Sequence, residues 1–174
     1  EYLTLEESLK RQPQGGRTVY LNLTNRCTCS CVFCLRHLKK LDANKTLWLE
    51  REPSVAEIKA ILQAVPWEII DEVVFCGFGE PTMRLDDVLQ LLTYIKKAHP
   101  RVKTRLNTNG LSDLAYGRDT ACVFAGEILD TVSISLNAST AERYLALTHS
   151  QFGLPSFDAM LAYAEHCKDY VSQV

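Results

Sequence analysis

Hydrophobic positions along the chain switch between two periods. Short strand-like runs alternate with longer stretches at helical spacing. Val19-Tyr20-Leu21-Asn22-Leu23-Thr24 alternates apolar and polar residues and is rich in branched and aromatic side chains, which predicts a first strand over about 18–24. Glu72-Val73-Val74-Phe75-Cys76 is nearly continuously apolar, as in a parallel sheet covered on both faces. Lys103–Leu106 and Thr131–Asn137 predict the third and fourth strands. Between them, Val55, Ile58, Ile61, Leu62 and Val65 form a helical stripe behind a Ser54/Glu57 capping box. Val88, Leu91, Leu92 and Ile95 form another, with Asp86 or Asp87 as its cap and Pro100 beyond its end.

The remaining helical signals are shorter. A weak one covers about 119–128, Ser139-Thr140-Ala141-Glu142 caps a short helix, and Ser156 caps one running to about Asp169. Thr4-Leu5-Glu6-Glu7 opens a short helix that stops before Pro13 and Gly15-Gly16. Tyr170–Val174 reads as the beginning of a fifth strand, and Arg36–Glu52 supports no assignment. Strand–helix units with short links predict an α/β fold with a parallel sheet and right-handed crossovers. At 174 residues and 47% hydrophobic, the chain can bury one core and is expected to be a single domain, 1–174, with residues 1–17 as a helical extension.

A net charge of −2 gives no global basic field, so charge does not indicate nucleic acid. No apolar run approaches the length that spans a bilayer, and Glu1-Tyr2-Leu3 lacks the form of an export signal, so no membrane partner is expected. Seven cysteines without an export signal belong to a reducing compartment, and the expected location is cytoplasmic.

Four of those cysteines crowd one loop after the first strand, Cys27-Thr28-Cys29-Ser30-Cys31-Val32-Phe33-Cys34. Soft thiolates at this density suit zinc, Cu(I) or an iron–sulfur cluster. Cys27, Cys31 and Cys34 are spaced Cys-x3-Cys-x2-Cys and could hold three corners of a [4Fe–4S] cubane, leaving the fourth iron to a small molecule. A structural zinc usually takes two cysteine pairs a dozen or more residues apart, and disulfides or inert thiols are the third reading. Cys29 is either a spare thiol on the loop's outer side or a fourth ligand.

Ligands of parallel α/β folds gather at the carboxyl ends of the strands. Every unusual polar or glycine-rich cluster falls at such an end: the cysteine loop, Gly77-Phe78-Gly79-Glu80, Asn107-Thr108-Asn109-Gly110, then Ser135 and Asn137. Each has a plain alternative, since turn glycines, an Asn-Gly dipeptide and a strand serine are ordinary features. Cys76, Cys122 and Cys167 read as small buried apolar residues, and the four histidines have no identifiable partner.

With Phe33 directly before its third cysteine, the Cys27–Cys34 loop resembles the defining motif of the radical SAM superfamily. Gly77-Phe78-Gly79-Glu80-Pro81 resembles that superfamily's GGE motif, and Asn107-Thr108-Asn109-Gly110 its TNG segment. Ser135 and Asn137 match the position of its ribose-contacting residues. Asn22-Leu23-Thr24-Asn25-Arg26-Cys27, with Cys34-Leu35-Arg36 and Ser135-Leu136-Asn137-Ala138, is similar to a subfamily encoded beside TatD-type nucleases.

The resemblance implies a partial, open (β/α)6 barrel, of which this sequence supplies four strands and the start of a fifth. Either the chain continues beyond Val174 or the barrel is unusually open. It implies a [4Fe–4S] cluster on Cys27, Cys31 and Cys34, with S-adenosylmethionine on the fourth iron. Glu80 and the backbone of Gly77, Phe78 and Gly79 would hold the methionine ammonium, and Asn107, Ser135 and Asn137 the ribose. One electron, from a donor such as flavodoxin or ferredoxin, would split the sulfonium into methionine and a 5′-deoxyadenosyl radical that acts on an unidentified substrate. Arg26 and Arg36 flank the cysteines as solvated loop residues or as partners for a carboxylate or the cluster. A four-cysteine electron carrier and a zinc-binding interaction module are the alternatives.

Overall fold

A computed structural model of the protein describes residues 17–37 and 48–174. The predicted helix after Thr4 and most of the unassigned Arg36–Glu52 stretch lie outside the described residues. Four strands, β1 (Arg17–Leu21), β2 (Ile70–Phe75), β3 (Lys103–Thr108) and β4 (Thr131–Ile134), form one sheet in the order β1-β2-β3-β4. Every adjacent pair is parallel. This is the open, partial barrel expected. The fifth strand begins as a single parallel bridge, Thr131 with Gln173, in which Val132 N donates to Gln173 O at 2.8 Å.

The register sorts the sheet into two faces, because successive side chains alternate. Leu21, Phe75, Leu106 and Val132 lie abreast on one face, each no more than 1% exposed. They form the core with Leu85, Val88, Leu91, Leu92 and Ile95 of α2 (Leu85–Ala98) and Ile58 and Leu62 of α1 (Val55–Leu62). The opposite face carries Tyr20, Val74, Arg105 and Thr131 in one row, with Asn107 beside Ser133 one row closer to the strand ends. Arg105 donates from Nη2 to Glu72 Oε2 across this open face at 2.9 Å.

Local chemistry explains most boundaries. The Ser54–Glu57 capping box opens α1 with both of its bonds present. Ile61, expected in the buried stripe, is 45% exposed and lines an open groove with Tyr20 and Leu49. Neither Asp86 nor Asp87 caps α2. Arg84 occupies the cap position after a 3-10 turn, Pro81–Arg84, and pairs with Asp87.

A short helix absent from the expected elements, α3 (Ser112–Tyr116), stops at Gly117, whose φ of +64° suits a residue without a side chain. The helical signal over 119–128 is only a 3-10 turn, Ala121–Phe124. Its inner residues Ala121 and Phe124 are buried, so Cys122 between them points outward, correcting its expected burial. Of the three cysteines outside the loop, Cys167 is buried and Cys76 is half-buried on the open face of the sheet.

Thr140 caps α4 (Ala141–Thr148) by accepting from Arg143 N, as expected of that tetrapeptide. Ser156 is not the cap of α5 (Ser156–Cys167). Pro155 takes that place, and the buried Ser156 hydroxyl donates to Gly153 O at 2.7 Å and accepts from Ser150 Oγ at 2.7 Å.

Candidate functional site

β1 ends at Leu21, and the chain then crosses the top of the sheet to the cysteine loop. The loop is clamped from outside by the end of α4: Ser30 N donates to Thr148 O and Val32 N to Leu147 O, both at 2.9 Å. A tight turn, Cys34 N to Cys31 O at 3.0 Å, folds the second half back. Cys27, Cys31 and Cys34 are half-buried, while Cys29 is 5% exposed. Cys29 therefore lies on the inside of the loop, packed with Leu111, Tyr144 and Met160, rather than on its outer side.

The thiols interact with one another. Hydrogen bonding with Cys29 lowers Cys27 and brings Cys31 down to about 7, while the same bonds raise Cys29. The ligating form of a cysteine is the thiolate, so Cys27 and Cys31 are the better prepared ligands.

Arg36 is the organiser of the loop. Its guanidinium donates to Cys34 Sγ at 3.2 Å, to Cys29 O at 2.9 Å and to Asn25 O at 3.4 Å. This overturns the reading of Arg36 as a merely solvated residue. Arg26, by contrast, is turned outward to Glu52, with Nε to Oε1 at 2.8 Å.

The second strand end is fastened to the first. A Cβ on Gly79 would lie 2.1 Å from Thr24 O and 2.7 Å from Arg26 O, so the two backbones meet where only glycine fits. Glu80 N donates to Arg26 O at 2.8 Å. A Cβ on Gly77 would meet the Asn22 side chain. Phe78 is buried, and so is Glu80.

The Glu80 carboxylate is a junction between strand ends. Oε1 accepts from Thr82 N, Thr82 Oγ1 and Thr108 Oγ1 at 3.1, 2.9 and 2.8 Å, and Oε2 from Asn109 N at 2.7 Å. Burial raises its pKa, with those four donors working in the opposite direction. Asn109, which sequence reasoning left aside, reaches the cysteines: Nδ2 donates to Thr28 Oγ1 at 3.0 Å and lies 3.8 and 3.7 Å from Cys27 and Cys29 Sγ. Asn107 Oδ1 is a buried acceptor with no donor among the described residues.

The radical SAM superfamily profile matches residues 21–173, a span that includes every one of these strand ends. The chain belongs to the radical SAM superfamily. Membership implies a [4Fe–4S] cluster and S-adenosylmethionine as cofactors, together with a source of electrons and a substrate.

Two curated relatives are GTP 3′,8-cyclases. That of Corynebacterium glutamicum strain R is 31% identical over 161 residues, 87% of this chain and 40% of the relative. A probable GTP 3′,8-cyclase of Methanopyrus kandleri is 32% identical over 136 residues, 78% of this chain and 39% of the relative. The chain thus spans about two fifths of the relatives it matches. These relatives are named differently from the TatD-linked group that the residues around Cys27 resemble.

The residues expected at the site from the sequence fall in two groups. Cys27, Cys31, Cys34, Gly77, Phe78, Gly79 and Glu80 come from two strand ends joined by the Glu80 N–Arg26 O bond, and Asn107 lies at the third, which Thr108 and Asn109 tie to Glu80. Ser135 and Asn137 follow β4, where Ser135 N donates to Thr108 O at 3.0 Å. Ser135 is exposed, and Asn137 Nδ2 is engaged with Ser135 O at 3.1 Å. No helix among the described residues is long and apolar enough to cross a membrane.

Proposed function

We propose that this chain is the cofactor-binding core of a radical SAM enzyme, a single domain over residues 1–174. In this reading Cys27, Cys31 and Cys34 hold a [4Fe–4S] cluster and leave one iron to S-adenosylmethionine. When bound, the cluster supplies the electron that divides the sulfonium into methionine and a 5′-deoxyadenosyl radical. The observation that carries the reading is the convergence of inward-facing thiols, the Asn109 amide and the fastened Gly79–Glu80 loop at three successive strand ends.

The remaining work is done by the chain's own residues. Arg36 holds the Cys34 side of the loop. Backbone groups of Gly77, Phe78 and Gly79, with a lone pair left on Glu80 Oε2, receive the methionine ammonium. Asn107 Oδ1 is a ready acceptor for a ribose hydroxyl, and Ser135 and Asn137 take the ribose's other side. An electron donor such as flavodoxin or ferredoxin supplies the reducing equivalent, and a reducing cytoplasm keeps the thiols available.

For the substrate, the names of the relatives favour a purine nucleoside triphosphate that is cyclised, and the residues around Cys27 favour the TatD-linked subfamily. Incubation of the reduced protein with S-adenosylmethionine and GTP separates these, since only the first forms a cyclised nucleotide.

Electron paramagnetic resonance of the reduced, reconstituted protein tests the central reading. Adding S-adenosylmethionine should change the cluster signal. A signal indifferent to the nucleotide belongs to a four-cysteine carrier, and colourless protein holding zinc belongs to an interaction module.

A further inference from the structure

Tyr144 sits on the inner side of α4 and is 1% exposed. It shares a buried group with Cys29, Leu111 and Met160, against which Cys27 and Cys31 also pack. The Phe157 ring lies tilted against it, 5.8 Å between centroids, so the phenol is held on that side too. Packing accounts for the ring but not for the oxygen. The hydroxyl is buried and has no hydrogen-bond partner among the described residues. An unpartnered buried hydroxyl has given up its water for nothing, and phenylalanine would fill the same space without that loss.

The hydroxyl's surroundings say what is missing. Two other elements already send donors to the thiols, Asn109 Nδ2 toward Cys27 and Cys29 and Arg36 Nε toward Cys34. Tyr144 would add a third donor, carried by the helix whose last carbonyls clamp the cysteine loop. No carboxylate or backbone carbonyl claims it among the described residues, and the buried group it belongs to includes Cys29, with Cys27 and Cys31 packed against that group.

We propose that Tyr144 is a tuning residue whose hydroxyl donates a hydrogen bond to a sulfur of the metal–sulfur group held by Cys27 and Cys31, raising that group's reduction potential. The inference rests on the reading that these cysteines hold a cluster. Hydrogen bonds to the sulfurs are one of the levers that set such potentials, because they stabilise the more negative, reduced state. Asn109 and Arg36 act in the same direction, so Tyr144 contributes one share of the tuning.

The test is a redox titration of anaerobically reconstituted wild type and Tyr144→Phe, followed by electron paramagnetic resonance. The variant should have the lower midpoint. At a fixed solution potential its reduced-to-oxidised ratio should fall by about tenfold, which is 59 mV for one electron. The apoprotein of the same variant should resist denaturant at least as well as wild type, which a structural role for the hydroxyl would not allow. An unchanged or higher midpoint overturns the inference.

If the phenylalanine variant holds no cluster, 3-fluorotyrosine at position 144 alone, a stronger donor, must raise the midpoint. Failure to do so is equally fatal. Wild type without any reducible cluster removes the underlying reading before a variant is compared.

Discussion

Gly79 and Arg26 meet backbone to backbone. Glu80 N donates to Arg26 O at 2.8 Å, and a Cβ on Gly79 would stand 2.7 Å from that same oxygen and 2.1 Å from Thr24 O. The glycine is needed for the approach of two chain segments, and this approach fixes the height of the cysteine loop above the sheet. Gly79→Ala should therefore cost about 3 kcal/mol by overpacking against atoms that cannot swing away. Gly117→Ala, with open space around its Cβ and φ of +64°, should cost about 1 kcal/mol. Denaturant unfolding of the two variants checks the difference, and equal losses would remove the role given to Gly79.

The proposed reading gives Cys29 and Cys31 different roles, although both pack toward Leu111, Tyr144 and Met160. Cys31→Ala should abolish iron and sulfide incorporation, and Cys29→Ala should leave a full cluster. Metal analysis and visible absorption after anaerobic reconstitution decide this. Loss of the cluster in Cys29→Ala would make the buried thiol a fourth ligand.

Arg36 ties Cys34, Cys29 and Asn25 together through one guanidinium. Groups that orient metal ligands typically matter by about 10- to 100-fold in metal affinity. Arg36→Ala should release iron to a chelator about tenfold faster than wild type, while Arg26→Ala, whose partner is the outlying Glu52, should not. Iron release followed by chelator absorbance measures both.

At the far end of the sheet Asp130 joins Lys96, Lys103 and Thr104. Burial opposes its ionisation, but the lysine and Thr104 hydrogen bonds outweigh it and bring the pKa from 3.8 to about 2. Between those values the unfolded chain binds more protons than the folded one, so stability rises with pH. The contribution is complete above the unfolded value and disappears as pH falls toward 2. After allowance for solvent screening it amounts to about 1 kcal/mol. Asp130→Asn should be less stable than wild type by that amount at pH 7, with the gap closing in acid. Urea titrations at pH 7 and near pH 2 measure it.

Local signals in the chain were good guides to fold and poor guides to partnership. The apolar run of β2 and the Val88–Ile95 stripe each decide their element within a few residues, because burial on two faces or one leaves its own period. α3 escaped notice because it is a single turn and a half. Its signals were Asp113 in the first turn and Gly117 as the left-handed stop.

The cysteine spacing was legible because the candidate ligands lie within eight residues. The hydrogen-bond partners of the Glu80 carboxylate were not, since its donors Thr108 and Asn109 come from a strand end 28 and 29 residues further on. Tyr144 was invisible for the same reason. Nothing in Ala141–Thr148 says that one hydroxyl on that helix will have no partner of its own.

The most direct measurement is product analysis after the reduced, cluster-loaded protein is mixed with S-adenosylmethionine under anoxic conditions. The account predicts 5′-deoxyadenosine and methionine in equal amounts, and none from Cys31→Ala. A fully loaded, fully reduced wild type that returns its S-adenosylmethionine intact would contradict it.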